Sequence, residues 1–271
     1  MRRAFLISAV ALATLATLAS CNKEQNAVTK FTATIENADK TYFNINNDGL
    51  GVVTWKVGDQ VKINNSTFNA EYVFDGGKTA VLTGGYINMD AISYTAVYPA
   101  DWYNYSTNTL SLPQGHYGTA DGVKAPMCAY SEYLTTNLQF KNLCGMVVLK
   151  VKSQGKILDL IDIGTGSGEY ITGPFTVNYN NGAPTLTAAN TVNNTNYIEC
   201  YGISTSIDDW TYFYFYLPPN NYTVFDITFM DSDGYVCEKF FESGENGHDT
   251  FDVERGKYNL LEFNLDGQWD Y

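Results

Sequence analysis

From residue 28 onward apolar and polar residues alternate with period two in short runs separated by Gly, Asn, Asp and Pro, as half-buried strands do. Phe31, Ala33 and Ile35 share one face of the first run. Val52, Val53, Trp55 and Val57, then Val61 and Ile63, flank a turn at Gly58-Asp59. Tyr72-Val73-Phe74 and Ala80-Val81-Leu82 are joined through Asp75-Gly76-Gly77, a turn that tolerates positive φ. The run from Ile92 to Tyr98 ends at Pro99. A long strand is predicted over 138–151, and others over 157–163, 170–179, 185–188, 197–203, 211–217, 225–230, 236–241 and 257–265. The pattern predicts an all-β fold. Turn-rich sequence between Pro113 and Pro126 divides it into an N-terminal unit, 28–137, and a C-terminal unit, 138–271.

The run Thr211-Tyr212-Phe213-Tyr214-Phe215-Tyr216-Leu217 is the clearest strand. Phe213, Phe215 and Leu217 point into a core, and Tyr212, Tyr214 and Tyr216 point the other way. The favoured expectation leaves these tyrosines half exposed with their hydroxyls in water. The other makes them an interdomain or partner surface, because three adjacent exposed rings form a sizeable apolar patch.

The first 20 residues have the design of a secretory signal: Arg2 and Arg3, then an apolar run from Phe5 to Leu18 too short for a membrane span, then small residues. Leu18-Ala19-Ser20-Cys21 resembles the bacterial lipobox, which implies cleavage before Cys21 and acylation of that residue. Several acyl chains hold a protein at a bilayer durably where one does so only marginally. Residues 1–20 are then a lipoprotein signal peptide and residues 21–27 a tether. Asn22 is not the aspartate of inner-membrane retention, and Lys23-Glu24 resembles a surface-export tag of Bacteroidetes lipoproteins. The expected location is an outer membrane, facing outward, with membrane lipid as partner through Cys21.

Losing the two arginines of residues 1–20 takes the net charge from −13 to −15. This excludes a nucleic-acid or anionic-membrane binder acting through charge. Cys128, Cys144, Cys200 and Cys237 permit three disulfide connectivities, but none is spaced as CxxC, and each sits in an apolar strand pattern. They read as small buried hydrophobes, mostly unpaired.

Catalytic chemistry is not evident. His116 and His248 lie in Gly-rich polar stretches, and no HExxH motif, nucleophile elbow or Walker loop occurs. The glycines of 163–168 are followed by strand rather than helix, so they form a turn. Asp231-Ser232-Asp233-Gly234 opens like a calcium loop but lacks the later ligands and reads as a hairpin. No catalytic residue, metal or cofactor is assigned. Trp102, Tyr103 and Tyr105 crowd a loop after Pro99 and form a candidate glycan contact, since flat rings stack on sugar faces; the opposing expectation folds them onto their own sandwich.

Several segments in order carry a resemblance: Phe31-Thr32-Ala33-Thr34-Ile35, Val53-Thr54-Trp55-Lys56-Val57-Gly58-Asp59, Tyr94-Thr95-Ala96-Val97-Tyr98-Pro99, the strand from Phe140 to Val151, Ile171-Thr172-Gly173-Pro174-Phe175, Tyr216-Leu217-Pro218-Pro219 and Val253-Glu254-Arg255-Gly256-Lys257-Tyr258. The chain resembles the fimbrillin-like (Mfa-like) lipoproteins of Bacteroidetes. That resemblance implies two tandem transthyretin-like antiparallel β-sandwich domains and a place in cell-surface fimbriae as stalk, tip or anchor. Its implied partners are other fimbrial subunits or copies of the chain, and a surface glycan or protein. In polymerising relatives the first strand is removed by a protease and a neighbour's strand fills the groove, a β-augmentation. The exchangeable strand here would carry Phe31, Ala33 and Ile35, and the donor strand would carry Leu261, Phe263 and Leu265. The only arginine after residue 20 is Arg255, so an arginine-directed cut near the N terminus is excluded. A cut near Lys40, or a retained strand in an anchor or monomeric surface lipoprotein, are the readings left open.

Overall fold

The computed structural model describes residues 27–36, 53–88, 90–117, 124–132, 135–180, 182–189, 192–242 and 250–270. The signal, Cys21, the tether before Ala27, Lys40 and His248 lie outside them. Among the described residues the regular elements are strands, with 3-10 turns at Asp75–Gly77 and Ala100–Trp102.

Seven strands of the N-terminal half close into a barrel: Met127–Ser131, Asn137–Asn142, Phe31–Ile35, Thr79–Thr83, Ser66–Phe74, Gln60–Ile63 and Tyr94–Tyr98, the last pairing again with the first. Closure removes unpaired edges. The Asp75-Gly76-Gly77 connection has φ of 52°, 65° and 93°, the left-handed backbone its glycines accommodate. The barrel interior is aromatic. Trp55 meets Tyr98 and Phe140 edge to face at 5.3 and 5.1 Å, and Phe31 meets Phe68 and Tyr94 at 5.1 and 5.0 Å.

The C-terminal half packs a three-stranded sheet, Thr211–Leu217, Gly145–Lys152 and Tyr258–Asn264, against a five-stranded one. The larger sheet runs Gly115–Tyr117, Tyr197–Ser206, Ile157–Thr165, Val224–Asp231 and Val236–Glu242. Val147, Leu149, Val151, Phe213 and Phe215 from one sheet meet Ile161, Ile163, Phe225, Ile227 and Phe229 from the other. This is a two-layer sandwich core.

Three ladders depart from the antiparallel expectation. Phe31–Ile35 runs parallel to Asn137–Asn142, Gly145–Lys152 parallel to Tyr258–Asn264, and Gly115–Tyr117 parallel to Tyr197–Ser206. Each pair joins segments tens of residues apart, which supplies the long crossover a parallel pair needs. The Asn137–Asn142 strand, which a division at residue 137 assigns to the second unit, pairs inside the barrel and contributes Leu138 and Phe140 to its core. The chain passes between cores at 143–145.

The two halves also interlock. Leaving the barrel at Tyr98, the chain forms the hairpin Tyr103–Asn104 and Thr109–Leu112, which pairs with Gly173–Asn180 and through it with Ala183–Ala188. It adds Gly115–Tyr117 to the five-stranded sheet and returns at Met127 to the barrel. A further core between the halves joins Val97, Leu110, Cys128, Leu143, Phe175 and Val177.

The tyrosine ladder departs from its favoured expectation at Tyr214, while Phe213, Phe215 and Leu217 enter the core and Tyr212 and Tyr216 are partly exposed as expected. Tyr214 is only 8% exposed, because Tyr212, Tyr214 and Tyr216 pack with Met146, Val148 and Tyr258 beneath Val53 from the N-terminal half. The part of the three-stranded sheet's outer face around Met146, Val148 and Tyr214 is thus covered by Val53, while Leu260 and Glu262 on the same face remain exposed. All four described cysteines are unpaired and buried. Burial pushes the Cys128 and Cys200 thiols up to about 12, so they stay protonated.

Candidate functional site

The alternation at 31–35 is realised as an enclosed strand. Phe31 and Ala33 are fully buried, Ile35 nearly so, and Thr32 and Thr34 lie on the outer side. Phe31–Ile35 fills the slot between Thr79–Thr83, which it pairs antiparallel, and Asn137–Asn142, which it pairs parallel. Its ends are held by Thr32 N donating to the Thr136 carbonyl (2.8 Å), Ile35 N to that of Lys78 (2.9 Å) and Glu36 N to that of Phe140 (2.7 Å). Withdrawing these five residues would break ladders on both sides and expose Phe68, Leu82, Tyr94 and Phe140 to water. Each such aromatic or aliphatic side chain is worth about 1.5–3 kcal/mol of burial. The slot therefore has what strand addition requires, two facing rows of backbone groups over a row of apolar pockets.

A second-half residue fastens the strand. Arg255 ion-pairs with Glu36 at the strand's end and donates to the Asn142 carbonyl at 3.1 Å. Both partners are half-buried, so the pair is screened less than a surface bridge. The supporting turn depends on Gly256, whose φ of 71° lies in the left-handed region and whose amide bonds the Cys144 carbonyl at 3.0 Å. In the sequence Arg255 belongs to a segment that carries the resemblance and excludes an early cleavage site, but nothing there assigns it a structural partner. That it is the only arginine after residue 20 of a strongly acidic chain is the available signal that it has a structural partner.

The proposed donor residues occupy a different setting. Leu261 and Phe263 lie on Tyr258–Asn264 and pack against the sandwich core, while Leu265, just past the strand, is fully buried and its amide bonds the Lys152 carbonyl at 2.9 Å. Among the described residues this strand is a sheet edge, paired on one side only. Structure thus brings the exchangeable and donor residues into separate cores, the first enclosed and the second at an edge.

The aromatic loop after Pro99 does not assemble an open platform. Tyr103 is only 6% exposed, and its hydroxyl donates to Asn108 Oδ1 at 2.8 Å. Trp102 is half-buried against the same interdomain core, and Tyr105 alone of the three is exposed. The 3-10 turn at Ala100–Trp102 folds the rings back onto the protein, which corrects the grouping of Trp102, Tyr103 and Tyr105 as one glycan contact. Among the described residues no group of three His, Cys, Asp or Glu side chains is placed to hold a metal.

No protein-family model matches the sequence, nor does any curated protein. Solved structures are similar to the chain, and those with TM-scores above 0.5 share its fold. A proposed cell adhesion protein from Bacteroides uniformis aligns over 88% of this chain and 93% of its own, at 15% identity and a TM-score of 0.53. A proposed cell adhesion protein from Bacteroides ovatus aligns over 89% and 93%, at 12% identity and a TM-score of 0.56. The C-terminally truncated tip fimbrial protein Mfa3 of Porphyromonas gingivalis aligns over 86% and 94%, at 11% identity and a TM-score of 0.40.

Proposed function

We propose that this chain is a fimbrillin-like surface lipoprotein, a structural or adhesive subunit rather than an enzyme, held at the outer membrane by acylated Cys21 and exposed outward. Its two halves are then variants of the tandem transthyretin-like plan, the first with its sandwich closed into a ring. In this reading the first strand is the exchangeable element, and the subunit joins other fimbrial subunits or copies of itself by strand exchange. One observation carries it: a single strand completes the barrel by filling a slot whose two walls are not paired with each other. The fold shared with proposed cell adhesion proteins of Bacteroides supports the same reading. The half-buried Arg255–Glu36 pair and the core-bound Leu265 favour a subunit that keeps its strand until it is cut, such as an anchor or a subunit awaiting maturation.

Deleting residues 22–36 is the direct test. Electron microscopy should find ordered rods, or a peptide covering 257–266 should rescue a soluble, β-rich form by circular dichroism. A truncated chain that stays a folded monomer ends the exchange mechanism. Labelled palmitate should enter the wild-type protein and be absent from Cys21→Ala, and equal labelling of both would end the anchor.

A further inference from the structure

Sheet edges invite pairing with another chain, and proteins blunt them with short strands, prolines and charges that point inward. Three edges of this molecule are blunted in these ways. Gly115–Tyr117 is three residues long, Ala183–Ala188 carries Pro184, and Val236–Glu242 sets Lys239 between the core-facing Cys237 and Phe241. Gln268 accepts from the Lys239 ammonium, which holds the charge at that edge. Tyr258–Asn264 has none of these devices. It is seven residues long, without proline or glycine, and its core-facing side chains Asn259, Leu261 and Phe263 are uncharged. Its single charge, Glu262, ion-pairs with Lys150 on the neighbouring strand at 3.2 Å.

The backbone of this edge has a defined outward set. The Lys257 carbonyl accepts from Met146 N, and Leu265 N donates to the Lys152 carbonyl, both at 2.9 Å. Residues two apart aim their backbone groups to the same side of a strand, so 257, 259, 261, 263 and 265 serve the ladder with Gly145–Lys152. The N–H and C=O groups of Tyr258, Leu260, Glu262 and Asn264 therefore face the side on which no described strand lies. Leu260 is 37% exposed, and Leu261 and Phe263 are only partly buried although they pack against the core. One more strand alongside would complete their cover.

The edge is self-complementary about Leu260. In an antiparallel pair with a twofold axis there, the two Leu260 residues face each other as a hydrogen-bonded pair, and Tyr258 of each copy faces Glu262 of the other. Such a pairing makes about six main-chain hydrogen bonds. On the outer surface it joins the two exposed leucines, and on the inner one it lays Leu261 beside Asn259 of the second copy. Centring the pair on Glu262 instead would set two carboxylates directly opposite each other, which is unfavourable. An isologous contact of this kind closes at two copies.

We propose that the open edge of Tyr258–Asn264 pairs antiparallel with the same edge of a second copy, centred on Leu260, so that two three-stranded sheets become one continuous sheet. The inference goes beyond the reading above: both strands stay in their own sandwiches, and Phe31–Ile35 stays in its barrel. The full chain carrying Cys21→Ala should sediment as a monomer when dilute and as a dimer as its concentration is raised. Leu260→Lys should weaken the dimer about tenfold or more, since it sets two like charges on the axis, and leave the circular dichroism spectrum unchanged. In the same background Leu260→Cys should give a disulfide-linked dimer on air oxidation. Facing Cα atoms of a hydrogen-bonded pair lie about 5.5 Å apart, within disulfide reach, and the four remaining cysteines are buried. Phe240→Cys, also exposed but on the guarded edge, should cross-link far less. Should Leu260→Lys unfold, the two cysteine variants decide the matter. A chain that stays monomeric at every concentration leaves this edge to a foreign strand and overturns the proposal. So does a dimer undiminished by Leu260→Lys, or equal cross-linking through positions 240 and 260.

Discussion

The barrel and the sandwich treat their terminal strands in opposite ways. The barrel takes its earliest strand in the chain and encloses it between two neighbours, so Phe31–Ile35 has a ladder on each side. The sandwich lays a late segment along an edge, so among the described residues Tyr258–Asn264 has a ladder on one side only. Removing the first opens a ring and uncovers a core from within. Removing the second shortens a sheet that still has a second layer beneath it. Position in the sheet, and not apolar pattern, decides which strand behaves as a plug.

The sharpest way to break that contrast is to truncate one inward side chain in each. Phe31→Ala should cost about 3–5 kcal/mol in denaturant unfolding, the usual range for a fully buried aromatic. Leu261→Ala, only partly buried, should cost about half as much or less. Equal costs would mean that enclosure adds nothing. Next in size is the fastening between the halves: Arg255→Ala should destabilise the barrel by about 1–2 kcal/mol, since it removes charge-assisted bonds to Glu36 and Asn142 together. A double-mutant cycle with Glu36→Gln should show coupling between the two positions, and strict additivity would disprove a direct pair.

A smaller effect of opposite sign belongs to the sandwich alone. On the outer face of its five-stranded sheet, Asp162 lies directly opposite Glu199 and next but one to Glu238, across Thr228. Burial first, then the charges of Glu199 and Asp226, pushes the Asp162 carboxyl up to about 6 from 3.8, and its Oδ1 is buried without a hydrogen-bond partner. Since the folded value exceeds the unfolded one, the neutral acid favours the fold. The stability it adds is complete below about pH 4 and is lost as pH rises through 6. Asp162→Asn should therefore stabilise the protein at pH 7.5 by about 1 kcal/mol, by relieving like charges set opposite each other. The gap between variant and wild type should shrink toward pH 4, and a gap independent of pH would refute the assignment. Smallest of all, Tyr105→Ala should leave stability within about 0.5 kcal/mol, while Tyr103→Ala costs several times more.

Much of this was readable from residue pattern. Alternation placed Phe31, Ala33 and Ile35 on one buried face, and the glycines at 76, 77 and 234 marked turns that do take positive φ. Strand partners were not readable, because period two is the same for parallel and antiparallel neighbours and says nothing about which distant segment lies alongside. The hairpin of 103–112 shows the cost: its sequence lies in the N-terminal half, but its ladder is with Gly173–Asn180. Tyr103 and Tyr214 were misjudged for a related reason. A ring that looks exposed on an isolated strand is covered once Val53, or the interdomain core, is brought over it.

The interlock of the two halves also has a mechanical meaning. A pull applied between residue 27 and the distal end of the sandwich does not stretch a linker. It meets first the short pairing of Ala27–Val28 with Ile87–Asn88 and then Phe31–Ile35, which is held by a ladder on each side. Beside the covalent passage at 143–145, the second half is tied to the first by the ladder between Thr109–Leu112 and Gly173–Asn180, the pairing of Gly115–Tyr117 with Tyr197–Ser206, and the Arg255–Glu36 pair, which share such a load. The molecule is built to carry tension as one body.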